Sequence, residues 1–488
     1  MSATTVGDEG GQVQEDLFGG EVLPTAEPVA RAIEVGGAPR VMSPQRNQVE
    51  LRPVDLESLL MPDHPARIVW AFVQSMDLAP LYARIKSVAG RGGAPAIDPA
   101  ILVALWLWAT IDGVGSAREV DRLCERDDAY RWICGGVGVN YHSLADFRTE
   151  HEAWLDKQLT RSIAALLERR LVTLNAVAQD GLRVRAHAKA SSFRRREKVA
   201  ELLAQAQAQV QALKRELTED AGASARRKQA GLERAARERE QRLAAALAAL
   251  DKLQRKPPPE PKKPKPSKRR GRGAGNSDDE PGAGTGENTP AKPEPKPEPE
   301  PRISTTDPQA RVMKMADGGF RPAFNAQLAV DADTQLIAAV AITNSGSDMG
   351  QMSPMHLNVQ QRYDTTPDHW LADGGFTKLQ AIDELTARGT QPVLPPPRSR
   401  NPDIDSLAAK NTDSPAQAQW RAFMASDFAK ALYVQRGATV ECANAQLRRR
   451  GLHRFNVCGM AKARAVLLWH ALAHNLMRMR SLNIAFAV

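Results

Sequence analysis

Two hydrophobic periods alternate along the chain. From Pro53 to Arg170 the apolar positions recur at helical spacing: Leu56, Leu59 and Leu60, then Ile68, Val69, Phe72 and Val73, then Ile101, Leu102, Leu105, Trp106 and Trp108. Intervals of three and four predict amphipathic helices. Asp98-Pro99 supplies an N-cap followed by proline at the first helical position. Tyr141 to Arg148 opens a further helix, with Ser143 and Asp146 at capping-box spacing. Such helices either enter a major groove or only pack on one another. The period shortens from Leu171 to Arg185, where Val172, Leu174, Val177 and Val184 predict a strand and a turn around Asp180-Gly181.

The strand is followed by another change. Between Arg194 and Lys256 the chain is rich in Ala, Gln, Arg, Glu and Leu, with Leu203, Val210 and Leu217 seven residues apart. That spacing predicts a coiled-coil insertion, and a break near Gly222 lets it fold back as an antiparallel hairpin. Farther on, Phe324 to Val330 and Leu336 to Ile342 predict two strands joined by Asp331 to Thr334. A helix around Met349 to Tyr363, a strand at His369 to Ala372, a helix from Thr377 to Arg388 and a strand at Gln391 to Leu394 come next. Helices over Thr439 to Arg450 and Ala461 to Met479 close the pattern. A hairpin followed by alternating strands and helices predicts an α/β fold with a mixed sheet.

Composition sets the boundaries. Residues 1–45 lack periodicity and read as a disordered leader, and 257–301, dominated by Pro, Lys, Glu and Gly, as a flexible linker. The expected organisation is a helical domain at 46–170, an α/β domain at 171–193 and 302–488, and the coiled-coil insertion at 194–256. Lys and Arg outnumber Asp and Glu by 66 to 57, for a formal charge of +9, which permits a polyanionic partner. The four cysteines, Cys124, Cys134, Cys442 and Cys458, form no C-x-x-C pair and suit a reducing compartment. Met1 to Glu21 lacks the basic start and apolar run of a signal peptide. The longest apolar stretch, Ala100 to Ala109, is about half the roughly 20 residues needed to cross a bilayer. A cytoplasmic, nucleoid-associated protein without membrane contact is expected.

Three acids stand out: Asp180 before Gly181, Asp373 before Gly374-Gly375-Phe376, and Glu441 in the run from Tyr433 through Arg436 to Arg448. Acids near the carboxyl ends of neighbouring strands can converge at one sheet edge, and a helix carrying Glu441 could complete a cage. Breaking a phosphodiester requires an activated oxygen nucleophile and a stabilised leaving oxygen, and hard divalent ions held by carboxylates supply both. Arg436 and Arg448 would serve as phosphate clamps. His470 and His474 also have metal spacing, but their neighbours Leu467, Leu468, Trp469 and Leu472 favour packing.

These stretches resemble insertion-sequence transposases of the DDE type, in particular the group with a helical N-terminal domain and a Tyr-Arg-Glu-Lys-like signature. The similar segments are Asp180 to Ala186 with Ser192 to Arg195, Asp317 to Gln327, Asn344 to Asp348, Ala372 to Phe376, and Tyr433 to Arg448. The resemblance implies an RNase H-like catalytic core and Asp180, Asp373 and Glu441 as both metal ligands and catalytic residues. Tyr433, Arg436 and Arg448 would be the phosphate-binding residues, and two Mg²⁺ or Mn²⁺ ions the cofactors. It further implies cleavage and strand transfer at terminal inverted repeats, with double-stranded transposon ends and target DNA as partners and a homodimer in the synaptic complex. Two departures stand in the signature: Arg448 replaces its lysine, and four rather than three residues separate Arg436 from Glu441. The alternative reading is a catalytically inactive, transposase-derived DNA-binding protein.

Overall fold

In the computed structural model, the described residues are 55–87, 90, 94–219, 223–254, 300–397, 403 and 405–484. The expected leader and nearly all of the expected linker lie outside them. Among the described residues seven α-helices come first: α1 (Pro65–Gln74), α2 (Ala79–Tyr82), α3 (Pro99–Ile111), α4 (Ala117–Arg126), α5 (Asp128–Cys134), α6 (Tyr141–Glu150) and α7 (Glu152–Glu168). Asp98 caps α3, accepting the Ala100 N–H at 2.8 Å ahead of Pro99. At α6 the cap is Asn140, which accepts the Ser143 N–H at 2.9 Å, so the expected Ser143–Asp146 box is not used. The apolar α3 is buried nearly all round.

Strand β1 (Ala176–Arg185) and the short β2 (Phe193–Arg194) lead into α8 (Arg196–Glu219) and α9 (Ala223–Gln254). Arg196 pairs with Asp251 and Gln209 meets Arg239 at 3.3 Å, so the two long helices run antiparallel. Ala206, Val210, Ala236 and Leu243 are buried along them, while Val199, Ala246 and Leu250 join Ile303 in a small core of their own.

The chain returns as β3 (Ile303–Ser304), β4 (Arg311–Lys314), β5 (Phe320–Asp331) and β6 (Ile337–Thr343). These are followed by α10 (Met352–Tyr363), β7 (His369–Leu371), α11 (Leu379–Ala387), β8 (Gln391–Val393), α12 (Pro415–Ala425), α13 (Asp427–Arg436), α14 (Cys442–Arg449) and α15 (Met460–Ser481). The main sheet runs β4-β5-β1-β7-β8, with β6 also on β5. Strands β5 and β6 form the expected antiparallel hairpin, β1 is antiparallel to β5, and β7 and β8 run parallel to β1. This is a mixed sheet flanked by helices, consistent with an RNase H-like core and preceded by a helical region.

The described residues form one compact unit, and the helices α1 to α7 share a continuous apolar core with the sheet. The link is α15, which packs on α3, α6, α7 and β6 and is buried along most of its length. His470 and His474 lie inside it, hydrogen-bonded to the Val466 carbonyl at 2.8 Å and the Gln335 carbonyl at 2.9 Å. Burial holds both imidazoles down to about 4. They are therefore neutral in the fold and chargeable once unfolded, so their stabilisation is present above about pH 6.5 and lost as pH falls towards 4. Thermal midpoints should drop across that window, each ring costing ~2–3 kcal/mol. A His470→Gln, His474→Gln double variant should show a flatter pH profile.

Candidate active site

Asp180 occupies the middle of the central strand, which β5 borders from Val177 to Arg185 and β7 from Ala176 to Ala178. The Asp180-Gly181 pair is therefore not a turn. It lies within ten residues of extended chain, because β5 pairs directly with it, Leu328 opposite Asp180 and Gln327 opposite Gly181. The parallel pairing with β7 ends at Ala178 beside Leu371, and Asp373 lies two residues beyond the end of β7, close enough for its charge to bear on Asp180. Side chains alternate along a strand, so Asp180 shares its face of β1 with Ala178, Leu182 and Val184. It is the face packed by the helical segment around Glu441 and by α14.

That placement is electrostatically costly. Burial pushes the Asp180 carboxyl up to about 6, and the negative charges of Asp373 and Asp348 add to the rise. The Gly181 N–H, at 2.9 Å, and the charge of Arg436 act in the opposite sense. The second carboxylate oxygen of Asp180 accepts from the Asn444 amide at 2.7 Å. Asp373 caps the short turn Gly374–Phe376, accepting the Gly375 N–H at 2.8 Å.

The segment carrying Glu441 departs from a regular helix. Residues Gly437–Glu441 form a π-helical turn between α13 and α14. A π turn holds more residues than an α turn, so the fourth residue between Arg436 and Glu441 is absorbed without breaking the helix. The Thr439 hydroxyl bonds the Gln435 carbonyl at 2.9 Å within this turn. Glu441 itself is at the rim: its side chain is 71 % exposed and lies 3.8 Å from the Arg436 guanidinium. Arg436 is nearly buried, stands 5.6 Å over the Tyr433 ring, and has an Nε with no partner. Arg448 is exposed in the last turn of α14.

Asp180, Asp373 and Arg436 thus come together, Tyr433 backs the arginine, and Glu441 and Arg448 lie farther out. Among the described residues, no group of three or more His, Cys, Asp or Glu side chains is gathered so as to hold a metal ion. Asn444, which sequence reasoning did not single out, is the side chain that reaches Asp180. Its position three residues beyond Glu441, on the same helical face, is the signal that could have found it.

Residues 296–476 match the family described as Transposase DDE domain, and residues 54–150 match Transposase domain (DUF772). The chain is assigned to the DDE-type transposases. The first match spans Asp373 and Glu441, the second covers α1 to α6, and Asp180 falls in neither. No curated protein and no solved structure matches this transposase-family chain. Among its described residues, no helix is long and apolar enough to cross a membrane.

An acid whose carboxyl is raised in the fold costs nothing below its unfolded value and its full penalty above its folded one. Without divalent metal, Asp180→Asn should therefore stabilise the chain by ~1–3 kcal/mol at neutral pH. The advantage should fade as pH falls from about 6 to about 4, as read by thermal or urea unfolding. A variant no more stable than wild type at pH 7 would contradict the electrostatic reading.

Proposed function

We propose that this chain is an active transposase that cleaves and rejoins DNA at the terminal inverted repeats of an insertion sequence, with Asp180, Asp373 and Glu441 as its catalytic carboxylates. The observation that carries the reading is that Asp180, on the central strand β1, feels the charge of Asp373, just past the end of the parallel β7, within a chain assigned to the DDE-type transposases. The donor set fits a hard divalent cation: two like charges face each other, one of them buried enough to be raised, and the amide oxygen of Asn444 beside them has no partner. Asp180, Asp373 and Glu441 would hold Mg²⁺ or Mn²⁺, two ions in all. When bound, such ions supply activation of the attacking oxygen and stabilisation of the leaving one.

The chain's own residues do the rest. Asn444 fixes the rotamer of Asp180 by its hydrogen bond. Glu441, exposed and tethered only loosely to Arg436, joins the two aspartates by a side-chain rotation. That rotation frees the Arg436 guanidinium, which stands over the Tyr433 ring, to clamp a phosphate, with Arg448 taking a neighbouring phosphate along α14. The partners are double-stranded transposon ends and target DNA. The helical domain at 46–170 binds DNA, the parts at 171–193 and 302–488 form the catalytic domain, and the α8–α9 hairpin serves pairing of two copies in a synaptic complex. The site of action is the bacterial cytoplasm, at the nucleoid.

The rim position of Glu441 favours a second reading, a DNA-binding protein that has lost cleavage. One assay separates the two: Mg²⁺- or Mn²⁺-dependent cleavage of DNA carrying the flanking element ends. Asp180→Asn, Asp373→Asn and Glu441→Gln should each lower cleavage by on the order of 10³-fold with DNA binding retained. Wild-type binding without cleavage selects the second reading, and cleavage indifferent to all three changes contradicts the carboxylate assignment.

A further inference from the structure

Behind Asp180, on the opposite face of the sheet, lies a row of polar side chains that neither the apolar core nor the carboxylate pair accounts for. Gln179 and Asn325 are fully buried and Gln327 nearly so, all three on the central strands β1 and β5. Burying amides there is costly unless each is bonded. Their bonds lead to one acid. Asp348, in the loop after β6, accepts the Asn325 amide at 2.7 Å and the Gln327 amide at 2.8 Å through one oxygen, and faces Arg183 at 3.4 Å through the other. Arg183 also donates to the Gly346 carbonyl at 2.9 Å, which ties down the same loop. Gln179 extends the row, donating to Gln327 at 2.9 Å and accepting from the Trp370 indole at 3.1 Å on the neighbouring β7.

Residue 181 shows how close this acid comes to the site. A Cβ at Gly181 would lie 2.1 Å from an Asp348 carboxylate oxygen and under 3 Å from the ends of Gln327 and Asn325. The glycine is thus needed for a reason remote in sequence: the space its side chain would fill is taken by Asp348. The carboxylate presses on the backbone of β1 directly next to Asp180, and its charge is among those that bear on Asp180.

We propose that Asp348 is a positioning residue for the cation site: held by Asn325, Gln327 and Arg183, it braces β1 from behind at Gly181 and adds a fixed negative charge behind the Asp180–Asp373 pair. It binds no ion itself, since the strand lies between it and the paired acids. The inference rests on the reading of Asp180 and Asp373 as cation ligands. Groups that orient metal ligands from behind typically change metal affinity by about 10- to 100-fold when altered.

The test is Mn²⁺ binding to the full chain, followed by the EPR signal of free Mn²⁺, alongside thermal melting. Asp348→Asn keeps the shape and removes the charge, and should weaken Mn²⁺ binding about tenfold while melting within about 2 °C of wild type. Asn325→Ala leaves the charge and removes one of its donors, and should give a smaller loss, about threefold. It keeps the proposal testable if the first variant folds poorly. Wild-type affinity in whichever variant is folded overturns the role of Asp348. If Asp180→Asn still abolishes Mn²⁺ binding in that case, the carboxylate reading stands without it. Absence of Mn²⁺ binding in wild type, or binding indifferent to Asp180→Asn, removes both.

Discussion

The two-sided pairing of β1 is the constraint from which the site follows. One strand is bonded antiparallel to β5 and parallel to β7, and this alone fixes which residues oppose one another and which face each side chain takes. A one-residue slip against β7 would shift the end of that strand, and Asp373 two residues beyond it, relative to Asp180. The register is guarded by the residues around it. Val177, Ala178, Leu182 and Val184 are buried along β1, and Trp370 and Leu371 beside it, so a slip would also turn apolar side chains out of the core.

The two faces of β1 are unlike, and the difference has an energetic meaning. One carries Asp180 among apolar neighbours, where a carboxylate is destabilised; the other carries buried amides that converge on Asp348. Both arrangements give up stability that an all-apolar sheet centre would provide, and such sacrifices are characteristic of functional sites. The π turn before α14 belongs with them. It holds one residue more than an α turn and keeps Arg436 under Glu441 while Asn444, one turn on, points at Asp180.

What was legible in the sequence was what local pattern controls. The β5–β6 hairpin, the cap on α3 and the alternation of strands and helices after residue 320 each follow from spacing over a few residues. What was not legible depended on partners far away. Asp180-Gly181 carries the local signal of a turn, yet the glycine answers to Asp348, met only when the sheet is assembled. The seam between the first helices and the sheet likewise depends on α15, at the far end of the chain, which packs on α3, α6 and α7 as well as on β6. The acids at 180 and 373 could be chosen from sequence, but the rim position of Glu441 and the reach of Asn444 depend on a π turn that no spacing rule announces.

In the proposed function, Asp180 and Asp373 form the two fixed walls of a divalent-cation site. The most direct measurement is the anomalous difference map of crystals soaked in Mn²⁺. A peak is expected between these two carboxylates, with oxygen distances of about 2.0–2.2 Å, and the Glu441 side chain turned in from the rim. A fully soaked crystal with no density between Asp180 and Asp373, or with Mn²⁺ bound only elsewhere, would contradict it.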